Sequence, residues 1–131
     1  MRILIVEDDF TARYVLQKIL SEFGECDIAV NGEEAIKAVE IARSEGKPYD
    51  VIFLDIMMPI MDGVDALKGI RKQERDLGIS PEKEVKIIML TALDTPKDVI
   101  ESYYKGGCDL YLVKPIEKKK LLSALKELKL I

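Results

Sequence analysis

The chain of 131 residues contains no histidine, no tryptophan and only two cysteines. The absence of histidine excludes Ser/His/Asp and Cys/His triads and every metal site that needs an imidazole ligand. Because Cys26 and Cys108 lie far apart with no CxxC spacing, we interpret them as two small buried hydrophobic residues in a reducing compartment. Any chemistry must therefore use oxygen ligands and lysine.

The sequence also lacks a long apolar run and an excess of positive charge. No run approaches the roughly 18 to 20 residues that span a bilayer, and the N-terminus begins as a strand without the layout of a signal peptide. The formal net charge of −4 disfavours nonspecific contact with nucleic acid or an anionic membrane surface. We therefore expect a cytoplasmic protein with no nucleic-acid or membrane partner, and its length fits one domain over residues 1 to 131.

Short apolar runs rich in β-branched residues alternate with amphipathic segments along the whole chain. The predicted strands cover residues 3–6, 26–30, 51–54, 86–90 and 109–113. The predicted helices cover about residues 12–23, 33–44, 64–73, 96–105 and 117–128. Residues 74–84, which contain Gly78 and Pro81, are predicted to form an extended helix end and a surface loop. This alternation predicts a parallel sheet with right-handed crossovers and helices on both faces.

Polar side chains directly follow four of the five predicted strands. They are Glu7, Asp8 and Asp9 after the first strand, Asp55 after the third, Thr91 after the fourth and Lys114 after the fifth. Ligands of open α/β sheets bind just outside the carboxyl ends of the strands, so these residues can share one pocket. The second strand is followed only by Asn31-Gly32, which we interpret as a plain turn.

Each of these residues also has an ordinary structural explanation. Asp9 or Thr11 could cap the first helix, Asp55 could be a loop aspartate, and Lys114 could be solvated. Their coincidence favours a site, because three carboxylates in one cleft repel each other unless a cation neutralises them. Mg²⁺ suits such an oxygen-only site, and a lysine and a hydroxyl beside it would form a site that binds the oxygens of a phosphoryl group.

Asp55 is the best candidate for a nucleophile in this cleft. It is the central member of the set and has no carboxylate next to it in sequence. An aspartate can itself attack phosphorus and form an acyl phosphate. We therefore predict that Asp55 carries the chemistry.

Four segments, in this order, resemble the receiver domain of two-component response regulators, similar to the chemotaxis-Y type: ILIVEDD, FLDIMMPIMDG, MLTA and YLVKP. The resemblance covers essentially the whole chain. It implies a flavodoxin-like (βα)5 fold of the α/β class, with a doubly wound five-stranded parallel sheet in strand order 2-1-3-4-5. It also implies that Asp55 is the phosphoacceptor and that Mg²⁺ is held by Glu7, Asp8, Asp55 and the backbone carbonyl of Met57.

The resemblance further implies a switch and its partners. Asp55 would accept its phosphoryl group from a sensor histidine kinase or a histidine phosphotransfer protein, and the chain would catalyse only its own phosphorylation and dephosphorylation. Lys114 and Thr91 would contact the phosphoryl group, and Tyr111 would turn inward. The surface of the fourth helix, fifth strand and fifth helix would then bind a downstream protein or a second copy of the chain. The family also usually has a cis peptide before the proline that corresponds to Pro115.

Three other functions stay open at this point. A Mg²⁺-dependent phosphatase of the haloacid-dehalogenase type would carry a second aspartate two residues after its nucleophile, where this chain has Met57. A flavin-binding module would need a Gly- or Ser-rich phosphate loop after the first strand. A receiver that only docks partners without phosphorylation would not need every site residue.

The methionines near Asp55 need a separate interpretation. Met57, Met58 and Met61 have no cysteine or histidine partners for a soft metal, so we interpret them as packing in the loop. Met57 and Leu93 each lie two residues beyond a site residue, at positions where related receivers often carry polar groups. Their apolar side chains predict slow spontaneous dephosphorylation.

Overall fold

The five strands form one parallel sheet in the computed structural model, which describes residues 1 to 131. They are β1 (Arg2–Val6), β2 (Glu25–Ala29), β3 (Val51–Asp55), β4 (Lys86–Thr91) and β5 (Leu110–Val113). Their order in the sheet is β2-β1-β3-β4-β5, and every neighbouring pair is parallel. The predicted fold class and strand order are confirmed.

Five helices cover the two faces of this sheet. They are α1 (Phe10–Leu20), α2 (Gly32–Ser44), α3 (Gly63–Asp76), α4 (Lys97–Gly106) and α5 (Lys118–Glu127), and a short 3₁₀ helix spans Pro81–Lys83. Helices α1 and α5 pack on one face, and α2, α3 and α4 pack on the other. None of these helices combines the length and the apolar character needed to cross a membrane.

Two hydrophobic cores lie on opposite sides of the central strands. In β1, Ile3 and Ile5 point towards α1 and α5, whereas Leu4 and Val6 enter the core beneath α2, α3 and α4. All four side chains are fully buried, and each contributes roughly 1.5 to 3 kcal/mol through burial of apolar surface. Burial on both faces explains why β1, β3 and β4 are nearly continuous apolar runs in the sequence.

Helix caps account for several differences between predicted and observed bounds. The Asp9 carboxylate accepts a hydrogen bond from the backbone N–H of Ala12 and caps α1, which therefore begins at Phe10. The helix ends at Leu20 instead of residue 23. The Asn31 side chain accepts one from the N–H of Glu34 at 2.8 Å. Asn31 is therefore the N-cap of α2 rather than part of a plain turn.

A buried ion network at the far end of α3 has no counterpart in the sequence-based prediction. We call it the Arg71 network; its charged members are Arg43, Arg71, Glu74, Glu84 and Asp109. The sequence predicts a polar helix end at residue 74, but Glu74 is fully buried, lies 2.7 Å from Arg71, and accepts a hydrogen bond from the N–H of Val85. Arg71 also donates to the carbonyls of Val85 and Gly107. The network thus joins α3 to the residue before β4 and to the turn between α4 and β5.

The two cysteines are free thiols in different environments. Cys108 is buried, whereas Cys26 is half-buried, so the prediction of burial holds fully only for Cys108. Burial and the nearby charge of Asp109 raise the pKa of the Cys108 thiol to about 11. Burial also raises the pKa of Cys26. Both thiols are therefore protonated and weakly reactive at neutral pH.

Candidate functional site

Three of the predicted site carboxylates converge at the carboxyl edge of the sheet. Glu7 and Asp8 directly follow β1, and Asp55 is the last residue of the neighbouring strand β3. One oxygen from each lies within 4.8 Å of the others. Glu7 is fully buried and Asp55 is 5% exposed, whereas Asp8 faces solvent. The compact acidic cluster thus forms because β1 and β3 are neighbouring parallel strands, although Asp55 is far from Glu7 and Asp8 in sequence.

Lys114 supplies the positive charge that faces this cluster. Its Nζ lies 2.9 Å from Glu7 Oε1 and 3.0 Å from Asp55 Oδ1. Burial and the adjoining Asp55 carboxyl raise the pKa of Glu7 even though Lys114 opposes them. Burial lowers the pKa of Lys114, but its hydrogen bonds to Glu7 and Asp55 outweigh this effect and raise it. One lysine therefore remains charged against three carboxylates, and negative charge is left over in the cleft.

The loop after β3 fixes the position of Asp55. Its Oδ1 accepts a hydrogen bond from the N–H of Ile56 at 2.9 Å, and the N–H of Gly63 donates to the Ile56 carbonyl. A Cβ on Gly63 would collide with the carbonyl of Asp55, so only glycine lets α3 begin this close to the strand end. Ile60 adopts a φ of 71°, an uncommon conformation for a β-branched residue. The loop between β3 and α3 is therefore tightly folded and supports Asp55.

Thr91 lies on the other side of the cleft, where its hydroxyl contacts a residue of the β4–α4 loop and a residue of α4. It is 2% exposed, and its Oγ1 is 2.7 Å from Thr95 Oγ1 and 3.4 Å from the hydroxyl of Tyr103. Its backbone carbonyl accepts the N–H of Lys114 at 2.8 Å, which couples the ends of β4 and β5. Nothing in the sequence pattern singled out Thr95 or Tyr103 as neighbours of Thr91.

The remaining predicted residues occupy distinct positions. The Lys114–Pro115 peptide is cis, as the resemblance implies. Tyr111 is 37% exposed on the outer side of β5, and its ring packs edge-on against Tyr104 with 6.2 Å between the ring centroids. Tyr111 does not line the acidic cleft, whereas Met57 does.

Exposed apolar side chains lie on the segments that follow the strands ending at the cleft, which has a volume of about 450 Å³; of these side chains, Met57 lines the cleft itself. They belong to the segments that follow β1, β3 and β4: Phe10, Tyr14, Val15, Met57, Ile60 and Leu93. Met57 is 80% exposed, so the interpretation that it packs in the loop is wrong, whereas Met58 and Met61 do pack against the core. A rim of large exposed apolar groups around a charged cleft is typical of a protein-binding surface.

Comparison with known families decides the class of the domain. The sequence pattern of the response regulator receiver domain matches residues 3–126. The chain belongs to this family. It is therefore a receiver domain of two-component signalling, in agreement with the acidic cluster, the lysine and the strand order described above.

Relatives of this receiver domain are found within much larger signalling proteins. It is 40% identical over 129 residues to part of the peroxide stress-activated histidine kinase mak2 of Schizosaccharomyces pombe, a match that covers 98% of this chain and 5% of the kinase. The chain spans 12% or less of the first curated histidine kinases that it matches.

Two solved structures of receiver domains resemble this one closely. The receiver domain of sensor histidine kinase PA1611 from Pseudomonas aeruginosa, with a magnesium ion coordinated in its active site cleft, has a TM-score of 0.77 and 31% identity over 96% of this chain and 94% of that one. The complex of the Saccharomyces cerevisiae phosphotransfer protein Ypd1 and the receiver domain of Ssk1 gives a TM-score of 0.82 and 28% identity, covering 97% of this chain and 87% of that one.

Proposed function

We propose that this receiver domain, over residues 1 to 131, accepts a phosphoryl group on Asp55 from the phosphohistidine of a sensor histidine kinase or a phosphotransfer protein. The geometry of the Asp55 carboxylate carries this proposal. Its Oδ1 is fixed by the N–H of Ile56 at 2.9 Å and by Lys114 Nζ at 3.0 Å. Its Oδ2 receives no hydrogen bond from the protein and is left to attack phosphorus.

The transfer exchanges one bond to phosphorus for another. A P–O bond forms to Asp55 Oδ2 while the P–N bond of the phosphohistidine breaks, and the electron pair of that bond stays on the imidazole nitrogen of the donor. Lys114 is already at hydrogen-bonding distance from Asp55, so its ammonium group faces the oxygens of the arriving phosphoryl group. The Thr91 hydroxyl would donate to one of these oxygens after moving from its present partners.

The acidic cluster fits Mg²⁺. Glu7, Asp8 and Asp55 offer three carboxylate oxygens within 4.8 Å, and burial and the adjoining Asp55 carboxyl raise the pKa of Glu7. These residues and the backbone carbonyl of Met57 would hold the ion, the carboxylate of Glu7 largely through water. When bound, Mg²⁺ neutralises the carboxylates and the phosphoryl oxygens, so that anionic groups can approach each other. The magnesium ion in the related PA1611 receiver supports this assignment.

The apolar rim supports a protein as the natural phosphodonor. A small phosphodonor would need only the charged cleft. Phe10, Met57 and Leu93 expose 70%, 80% and 84% of their surfaces; Met57 lines the cleft, and the other two directly follow the lining residues Asp9 and Ala92. The related Ssk1 receiver was crystallised with a phosphotransfer protein. On the output side, Tyr104 and Tyr111 with α4, β5 and α5 form the surface that would bind a downstream protein or a second copy of the chain.

The chain would catalyse only its own phosphorylation and dephosphorylation. A phosphatase needs a general acid for the leaving group, but position 57 is an exposed methionine and Asp9 is occupied as the cap of α1. The cleft therefore favours storage of the phosphoryl group over turnover of a substrate.

Intact mass spectrometry after incubation with Mg²⁺ and acetyl phosphate tests this function. We expect one phosphoryl adduct that disappears in Asp55→Asn and persists in Asp94→Asn, a control at an exposed aspartate of the β4–α4 loop. Continuous release of phosphate without an adduct would instead identify a phosphatase. If neither a phosphoryl adduct nor a release of phosphate is observed, the domain is a docking module that is not phosphorylated.

A further inference from the structure

The hydroxyl of Thr91 belongs to a short chain of hydroxyl groups that the proposed chemistry does not explain. Thr91 Oγ1 lies 2.7 Å from Thr95 Oγ1, and Thr95 Oγ1 lies 2.8 Å from the carbonyl of Ala92. On the other side, the Tyr103 hydroxyl lies 3.4 Å from Thr91 Oγ1. The chain runs along one wall of the acidic cleft, which Thr91, Thr95 and Tyr103 all line.

Each hydroxyl group has a single proton to donate, and this determines which group is the donor in each of these hydrogen bonds. A carbonyl oxygen can only accept, so the bond to Ala92 uses the single proton of the Thr95 hydroxyl. Thr95 can then only accept from Thr91, and Thr91 commits its own single proton to Thr95. The proton that Thr91 would donate to a phosphoryl oxygen is therefore already in use.

Tyr103 opposes the same movement for a second reason. Its side chain is almost fully buried at 1% exposure, and Thr91 is the hydrogen-bond partner of its hydroxyl. Since the proton of Thr91 goes to Thr95, Tyr103 is the donor in this weaker contact. When Thr91 moves towards Asp55, the Tyr103 hydroxyl loses its partner, and burying an unpaired hydroxyl is unfavourable.

We propose that Thr95 and Tyr103 are positioning residues that hold the Thr91 hydroxyl on the α4 side and so set how readily the receiver switches when Asp55 is phosphorylated. The inference rests on the proposed function of Asp55. Neither residue touches the reacting atoms; both act through Thr91. Phosphorylation then competes with an intramolecular acceptor, and the strength of that acceptor determines the population of the resting state.

Affinity for beryllofluoride, a mimic of the bound phosphoryl group, measures this competition. Titration calorimetry with Mg²⁺ present should show about five-fold tighter binding by Thr95→Val, because the resting state loses one hydrogen bond while the bound state loses none from Thr91. Tyr103→Phe should bind about two-fold tighter, since its contact with Thr91 is longer. Thr95→Ser keeps the acceptor and should match the wild type.

Matched variants separate this role from a structural one. Thr11→Val removes an exposed hydroxyl that is not hydrogen-bonded to Thr91, Thr95 or Tyr103, and it should leave the affinity for beryllofluoride unchanged. In a Thr91→Val background, Thr95→Val should have no effect, because position 91 no longer has a proton to release. A purely structural contribution of Thr95 would persist in that background and would not be rescued by serine.

The outcomes distinguish the inference from the proposed function. If the wild type neither binds beryllofluoride nor accepts a phosphoryl group, both fail. If the wild type binds and Thr95→Val binds equally well or more weakly, only the positioning role is overturned. Should Thr95→Val not fold, the sign of the change in Tyr103→Phe decides: tighter binding supports the inference, and equal or weaker binding overturns it.

Discussion

Buried charged groups lie at both ends of the parallel strands, which we call the amino edge and the carboxyl edge of the sheet. The two edges differ in how completely these charged groups are paired. At the amino edge, Glu74 accepts hydrogen bonds from Arg71 and from the N–H of Val85, and Asp109 accepts from Arg71 and the N–H of Ile87. At the carboxyl edge, three carboxylates share Lys114. In the first cluster two arginines and backbone N–H groups face three carboxylates, although one guanidinium nitrogen of Arg43 is buried without a hydrogen-bond partner. In the second cluster a single lysine faces three carboxylates, which leaves more negative charge for a bound cation to neutralise.

This difference shows why a buried carboxylate does not by itself indicate a functional site. Glu74 and Glu7 are both fully buried. Glu74 is a structural residue because arginines and a backbone N–H surround it. Glu7 lies beside two further acids, and burial and Asp55 raise its pKa. What separates them is the balance of partners around each carboxylate, and mutations at the two edges should have opposite effects.

The largest effect is expected at the amino edge. Arg71→Met should lower the free energy of unfolding by about 3 to 5 kcal/mol, because it leaves the buried Glu74 and the half-buried Asp109 with fewer partners. Urea denaturation measures this loss. Lys72→Met is the matched control on the same helix, since the Lys72–Asp76 pair is exposed, and it should cost no more than about 0.5 kcal/mol. Equal losses in the two variants would contradict the distinction between the edges.

At the carboxyl edge, removal of a charge should stabilise the protein. Asp8→Asn takes one carboxylate from the cluster, so in chelator the melting temperature should rise by about 1 to 3 °C. The same change should weaken Mg²⁺ binding at least about ten-fold. Thermal unfolding with chelator and with Mg²⁺ measures both effects, and Glu40→Gln on the exposed side of α2 should change neither. A lower melting temperature in chelator would show that the cluster is not electrostatically strained.

The carboxyl edge was predictable from the sequence and the amino edge was not. Glu7, Asp55 and Lys114 each directly follow a strongly apolar run, so strand ends could be recognised and the topology of a parallel sheet brings them together. Glu74 instead lies in a polar run before Gly78. Its partner Arg71 also contacts Asp109, 38 residues further along the chain, and no local sequence pattern indicates such a contact.

The same limit applies inside the site. Thr91 was recognised by its place after β4, but its bond to Thr95 depends on the fold of the β4–α4 loop, and its contact with Tyr103 depends on the rotation of α4. Sequence patterns predict which residues line a cleft, because strand ends are ordered by topology. They do not predict which hydroxyl bonds to which.

A moderate effect is expected at the rim of the cleft. Phe10 is 70% exposed and stacks on Tyr14 with 6.4 Å between the ring centroids. Phe10→Ala should slow phosphorylation by a phosphohistidine-bearing phosphotransfer protein about five- to ten-fold, the effect of losing one aromatic interface contact. The rate with acetyl phosphate should not change, because the charged cleft is intact. The ratio of the two rates is the measurement, and Ile41→Ala, at an exposed apolar residue of α2, is the control.

An equal slowing of both reactions by Phe10→Ala would show that the substitution acts on the cleft itself. In that case the apolar rim would not discriminate between donors. If Phe10→Ala changes the rate of neither reaction relative to the wild type, Phe10 does not belong to the docking surface.

The smallest effect concerns the lifetime of the phosphoryl group. Hydrolysis of an acyl phosphate requires a water molecule placed in line with the bond that breaks, and a polar side chain beside the cleft can orient that water. Met57 is 80% exposed at the mouth of the cleft and offers no such group. Met57→Asn should therefore shorten the half-life of the Asp55 adduct by a factor on the order of three to ten, whereas Met57→Leu, which keeps the site apolar, should leave it unchanged. The decay of the adduct mass in the presence of Mg²⁺ measures both. A wild-type half-life as short as that of Met57→Asn would show that the unpaired charge of this edge, rather than the apolar side chain, controls the approach of water.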